Sequence, residues 1–213
     1  MAGNAFKYKE FLWICAFLAL SLGVYRITSA ESFHVESKFM GEPLMINDKD
    51  FVGVDISSRN KTECSPGKPS DDDWEGILIN APHYVYLPAE GVDLKGKVVF
   101  GTIPICGYSM LQALIVRRAG PKIIVAEDIR THKRMFAPLY KISVDLEVPP
   151  PNAPPIPDER LEHLVGGGYF YHNLLDHLDL PSVPATYNVH IELGEYISNT
   201  VTIQIVDAKE LNK

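Results

Sequence analysis

Fifteen consecutive uncharged residues, Phe11 to Tyr25, stand near the start of the chain. They set the compartment in which everything after them folds. Lys7 and Lys9 precede the run, and Arg26-Ile27-Thr28-Ser29-Ala30 follows it. A basic leader, an apolar stretch of about 7–15 residues and a small-residue exit have the form of a secretory signal. Thr28 and Ala30 suit the two small positions before a cleavage point, which places that point ahead of Glu31. The alternatives are an uncleaved anchor, for which the run is short against a span of about 20 residues, and a buried core helix. Both membrane readings put the rest of the chain in the lumen or outside the cell, because the positive charges precede the apolar run. Residues 1–30 are therefore expected to be a signal peptide or signal anchor, and 31–213 the folded part.

That compartment gives the cysteines their meaning. The chain has three, which excludes a disulfide-dense miniprotein and a four-cysteine zinc site. Losing the leader removes Cys15 and leaves Cys64 and Cys106, an even number in an oxidising environment. The simplest expectation is one disulfide between them. It would close a loop of about 40 residues and contribute about 3–4 kcal/mol in the chain-entropy model. Two buried free thiols are the alternative. Asn60-Lys61-Thr62 is the chain's N-x-S/T sequon. It lies in the polar stretch SSRNKTECSPGKPSDDD, so in a secretory context Asn60 is a candidate glycosylation site.

The 213 residues suit one ordinary domain. Hydrophobic residues at 46% and charged residues at 22% are globular composition. The chain has 20 basic and 27 acidic residues. Removing Lys7, Lys9, Arg26 and Glu10 leaves 17 and 26, a net charge of −9 for the mature part. No basic face is advertised, so nucleic acid is not an expected partner.

Periodicity predicts an α/β domain with a mixed sheet flanked by short helices. A strand is expected within Leu44–Ile56, followed by a loop over 57–75. GILIN (76–80), YVYL (84–87) and KVVFG (97–101) read as short strands. Apolar residues at 108, 111, 114, 115 and 119 have helical spacing, with Gly120 and Pro121 as the stop. KIIVA (122–126) follows as a buried strand. Strand, helix and strand make a βαβ unit, which predicts parallel pairing in part of the sheet. YKISVDLEV (140–148) alternates at period two, and a Pro-rich segment occupies 149–157. Asp158 is expected to cap a helix to Leu164, Gly166–Gly168 to break it, and Tyr169–Leu178 to form another. Tyr187–Leu193 and Thr200–Val206 read as strands around a turn at Gly194.

Cys64-Ser65-Pro66, the strand KVVFG, Cys106-Gly107-Tyr108, a helix ending in Ala119-Gly120 and the strand KIIVA together resemble the protease-associated (PA) domain. The segment RRAGPKIIVAED carries the closest likeness, and the likeness spans roughly residues 44–200. The chain departs from that pattern at Ile103-Pro104-Ile105, where the family often has Arg-Gly. The resemblance implies an accessory module: a part of secreted and vacuolar peptidases, a lumenal part of sorting receptors and membrane ubiquitin ligases, or a small secreted glycoprotein. It implies no catalytic residues, and it carries over only Cys64 and Cys106, as a disulfide pair.

The chemistry candidates read as structural. His172 and His177 are five apart, which is not the i, i+4 face of an HExxH site, and His163 lies on a different segment. No metal is expected. Asp71-Asp72-Asp73 lacks the alternate spacing and central glycine of a calcium loop. Ser109 meets only half of a G-x-S-x-G elbow, and Cys106 is expected to be oxidised rather than a thiolate nucleophile. Gly166–Gly168 has no Lys-Ser/Thr after it and is no phosphate loop. Tyr169, Phe170, Tyr171, Tyr84 and Tyr86 are the first places to look for an exposed apolar patch. The sequence thus predicts a protein that is not an enzyme and needs no cofactor. It binds another protein or a peptide by surface complementarity or a strand edge, with a membrane tether if the leader is retained. The rival is a hydrolase, or a piece of one.

Overall fold

The computed structural model describes residues 47–71, 73–139 and 155–212. The leader with its cleavage point, and the expected strand over 140–148, lie outside the described residues.

The first described element is a 3-10 turn, Asp48–Phe51; of the range Leu44–Ile56 in which a strand is expected, residues 44–46 lie outside the described residues and 47–56 form no strand. Its start is capped reciprocally: the Asn47 side chain accepts from the Lys49 N–H, and the Asp50 carboxylate accepts from the Asn47 N–H. Both acids of the turn suit its positive end. Phe51 closes it from below, fully buried. Asp48 also accepts from the backbone N–H groups of His83 and Tyr84, at 2.6 and 2.9 Å, and so fixes where the next strand pair begins.

Among the described residues, nine strands form two sheets that share one apolar core. The first sheet is antiparallel, in the order β1 (Gly76–Asn80), β3 (Pro104–Gln112), β6 (Val165–Asn173). The second runs β2 (Tyr84–Leu87), β9 (Val201–Asp207), β7 (Ala185–Leu193), β4 (Lys122–Asp128), β5 (Arg134–Leu139), with β8 (Tyr196–Ile197) against β7. Alternation places the core on β7 and β9: Tyr187, Val189, Ile191, Leu193, Ile203 and Ile205 all point inward. Helices are few among the described residues: α1 (Ala113–Ala119) and the single turn α2 (Asp158–Leu161). The chain is an α/β domain, mostly sheet.

Several expectations are corrected. Tyr108–Gln112 is strand, and only Ala113–Ala119 is helix, although Gly120 ends it at φ +79° as expected. The strand wins because β3 is central, laddered to β1 on one side and β6 on the other. That pairing outweighs a helical spacing of five apolar residues. The segment β3–α1–β4 is therefore no βαβ unit, since α1 carries the chain from one sheet to the other. The sheet is mixed for a different reason: β2 and β9 pair in parallel. Within Lys97–Gly101 only Val99 bridges, to Tyr86.

Residues 165–173 are strand, not a glycine break followed by a helix. Tyr169, Phe170 and Tyr171 are strand-favouring aromatics, and nine cross-strand pairs with β3 hold them. Only the 3-10 turn Leu174–Asp176 remains of the second helix. Asp158 does not cap: Pro157 holds that position, and the Asp158 carboxylate pairs with Arg117 and Arg118 instead.

Candidate functional site

Alternation on β3 and β6 gives their sheet two different faces. On one, Tyr108 packs on Trp74 and on Tyr169, and Cys106 forms the disulfide with Cys64 across a Cα–Cα distance of 5.9 Å. The expected pairing is therefore present. Tyr171 works beside it: its hydroxyl donates to the Asn60 carbonyl at 2.6 Å and accepts from the Thr62 N–H at 3.2 Å, with Ser65 Oγ at 2.6 Å. The 57–75 loop is thus fastened twice to this sheet. Asn60 itself is exposed on that loop.

The other face carries Ser109, Leu111, Gly166, Gly168, Phe170 and His172. It borders an open cavity of about 520 Å³, completed by residues of α1, the start of β4 and Leu139. The Phe170 ring lies where a side chain on Gly107 would have to go, so Gly107 is glycine for packing reasons. Lys122 Nζ sits 4.2 Å from the Phe170 ring centre and donates to Ser109 Oγ at 2.9 Å. The cavity is otherwise mainly apolar, which is how ligand pockets are usually lined. Val116, on its lining, is 42% exposed. Backbone bonds hold this corner together, with the Ala113 N–H donating to the Leu164 carbonyl.

The sheet edges differ in how they are finished. On the edge of β1 the Asn199 side chain bonds both the N–H and the carbonyl of Ile79. On β2, Tyr86 exchanges backbone bonds with Val98 and Phe100. The β5 edge carries Arg134 and Pro138, a charge and a residue that cannot donate. Among the described residues, nothing pairs with the outer edge of β6 from Val165 to Phe170. That stretch, VGGGYF, has neither charge nor proline.

The other candidates are placed as follows. His172 and His177 do come together, with Nδ1 of the first 3.1 Å from Nε2 of the second. Burial first, then the neighbouring His177 and Lys122 charges, push His172 down to about 4. His163 is exposed and apart from them. Among the described residues no group of three or more His, Cys, Asp or Glu side chains is placed to hold a metal. Asp71 accepts from the Asp73 N–H within an exposed turn, and Asp72 lies outside the described residues. Ser109 is in the middle of a central strand, not at a helix start. Tyr84 is 39% exposed at the start of β2, while Tyr86 is half-buried beneath Lys97. Among the described residues no helix is long and apolar enough to cross a membrane. Sequence reasoning missed Lys122, Gly107 and the outer edge of β6. A period-two reading of VGGGYFYHN, with Tyr169 and Tyr171 on one face and Phe170 and His172 on the other, is the signal that finds the last.

Comparison with known proteins adds no relative: no family model matches the chain, no curated protein matches it, and no solved structure matches it.

Proposed function

We propose that this chain is a non-catalytic interaction module of the secretory pathway, of the protease-associated type, that binds another protein or a peptide. The observation that carries the reading is the mainly apolar, open cavity of about 520 Å³, lined among others by exposed Val116. A mainly apolar concavity open to solvent is the usual form of a recognition site. The Cys64–Cys106 disulfide agrees with a secreted or lumenal location. The exposed Asn60 then takes a glycan, and the leader is cleaved before Glu31 or retained as a tether.

The Lys122–Ser109 contact favours a second reading, a hydrolase using a Ser–Lys pair. Ser109 is poorly placed for it. Its neighbours on both sides are strands, Ile77 opposite on β1 and Gly168 on β6. It lacks the strand-to-helix elbow that frees a backbone N–H for an oxyanion.

The test uses the full chain purified from a eukaryotic secretory host. It is panned against a random peptide library displayed on phage, and it is assayed for peptidase and esterase activity. Enrichment of peptides with a shared apolar position supports binding. A library that yields no binder, or turnover that disappears in Ser109→Ala, overturns it.

A further inference from the structure

We propose that the fold decides when Asn60 can be glycosylated. The sequon is an acceptor only until the 57–75 loop docks on β6 and Cys64 joins Cys106. A chain that closes first stays bare. This rests on the reading of Asn60 as a glycan acceptor in a secretory compartment, and it goes beyond it.

The pattern N-x-S/T has two read positions, the asparagine and the hydroxyl two residues on. A transferase has to hold both at once. The structure treats them differently. Asn60 is exposed, while Thr62 is half-buried. The Thr62 hydroxyl lies 3.2 Å from Cys64 Sγ and 3.2 Å from Ser65 Oγ. Cys64 is oxidised and has no S–H, so the hydroxyl is the donor in the first of these contacts. The Thr62 N–H donates to Ser65 Oγ at 2.8 Å and to the Tyr171 hydroxyl at 3.2 Å. The Thr62 carbonyl accepts from the Ser65 N–H at 3.2 Å. The Asn60 carbonyl accepts from the Tyr171 hydroxyl at 2.6 Å. The backbone on both sides of Lys61 is thus pinned, and the hydroxyl that an enzyme must reach is in contact with the disulfide.

Buried groups stand behind these bonds. Cys64, Ser65 and Tyr171 are buried, and Asn80 Nδ2 donates to the Cys64 carbonyl at 3.1 Å. Lifting the sequon off the sheet breaks several of these bonds together, as a local opening. None of the bonds named here uses the Asn60 side chain. A glycan on Nδ2 therefore leaves them intact, and a chain modified early folds to the same structure.

Sequence order sets the timing. The groups that lock the sequon are made after it: Cys106 comes 46 residues later and Tyr171 comes 111 residues later. At synthesis rates of about 5–20 residues per second, Tyr171 follows Asn60 by roughly 5–20 s. The transferase acts within that interval. Asn60 Nδ2 attacks the glycosyl carbon of a lipid diphosphate sugar donor. The new N–C bond replaces the sugar–phosphate bond, the lipid diphosphate leaves, and Nδ2 gives up one proton. Closure then removes two electrons and two protons from the Cys64 and Cys106 thiols. A protein disulfide of the compartment accepts them and becomes a dithiol.

The test uses the full chain secreted to a bacterial periplasm, where it is oxidised and carries no glycan. It is offered to a purified oligosaccharyltransferase with its lipid-linked donor, and intact mass follows the transfer. The oxidised wild type should accept at least about tenfold more slowly than the same protein reduced and alkylated. Tyr171→Phe with its disulfide closed should accept about five- to a hundredfold faster than the oxidised wild type, in line with the hydrogen bonds it loses. Asn199→Ala removes bonds to Ile79 rather than to this loop. It should accept no faster than the wild type. Equal acceptance by the oxidised and reduced proteins overturns the proposal. So does an equal gain in Tyr171→Phe and Asn199→Ala, which would mean that only unfolding of the whole domain frees the sequon. If neither the oxidised nor the reduced form accepts, and the wild type from a eukaryotic secretory host carries no glycan, the reading of Asn60 as an acceptor falls instead.

Discussion

Asn199 acts as a one-residue strand. Its Oδ1 accepts from the Ile79 N–H at 2.8 Å, and its Nδ2 donates to the Ile79 carbonyl at 2.9 Å. A backbone partner would make the same two bonds. The outward backbone groups of Ile79 are therefore satisfied by a side chain. Ile79 is fully buried, so these backbone groups have no ready access to water. Asn199→Ala should cost about 1–3 kcal/mol, because it leaves both without partners. Urea unfolding measures that directly. A loss below a few tenths of a kcal/mol would show that water replaces the amide. The variant should also self-associate more readily at high concentration, since it re-opens an edge.

The 57–75 loop is held by a covalent link and a hydroxyl. Cys64 and Cys106 lie 42 residues apart in sequence. In the chain-entropy model, opening a loop of that length costs about 4 kcal/mol. The double variant Cys64→Ser, Cys106→Ser should lose stability of that order in non-reducing urea titration. Tyr171→Phe is expected to lose about 1–3 kcal/mol, since Ser65, Thr62 and the Asn60 carbonyl all lose a partner. Intact mass of the secreted protein checks the same region independently. It should be about two daltons lighter before reduction, and Asn60→Gln should remove any glycan.

Two glycines of neighbouring strands should respond oppositely to alanine. In Gly107→Ala the new methyl occupies the position of the Phe170 ring. Overpacking of this kind costs about 1–3 kcal/mol, and here it also displaces the cavity wall. In Gly166→Ala the methyl meets open space. The unfolded chain loses freedom and the folded one loses nothing, so stability should rise by about 0.4–1 kcal/mol. Thermal unfolding of the two variants side by side decides it. A destabilised Gly166→Ala would mean that the fold needs that glycine.

The elements with a clear local pattern were readable from sequence. Tyr187–Leu193 alternates, and it is the strand β7 with Tyr187, Val189, Ile191 and Leu193 inward. Gly76–Asn80 is a short apolar run between turn residues, and it is β1. The strands β3 and β6 were not readable. Tyr108 and Leu111 share a helix face by spacing, yet they lie on opposite faces of a strand. The glycine run looked like a break because its stabilising partner is β3, far away in sequence. The site shares this difficulty. Ser109 and Lys122 are 13 residues apart, and Asn199 and Ile79 are 120 apart. Such contacts arise from sheet order, which leaves no local period.

Acid should loosen the fold through His172. Its ordinary value is 6.5, and in the folded chain it is pushed down to about 4. Burial is the main cause. The His177 imidazole and the Lys122 ammonium add to it, and Asp176 opposes them. In the unfolded chain His172 takes up a proton near its ordinary value. Between about pH 6.5 and pH 4 the unfolded state therefore binds more protons, and stability rises with pH across that window. The contribution is complete above pH 6.5 and is lost as pH falls through about 4. It amounts to about 1–3 kcal/mol. Urea midpoints at pH 7.5 and pH 4 should differ more in the wild type than in His172→Gln, which keeps a hydrogen-bonding group beside His177. Parallel pH curves for the two proteins would mean that the folded His172 titrates near its ordinary value, with its ring in contact with water.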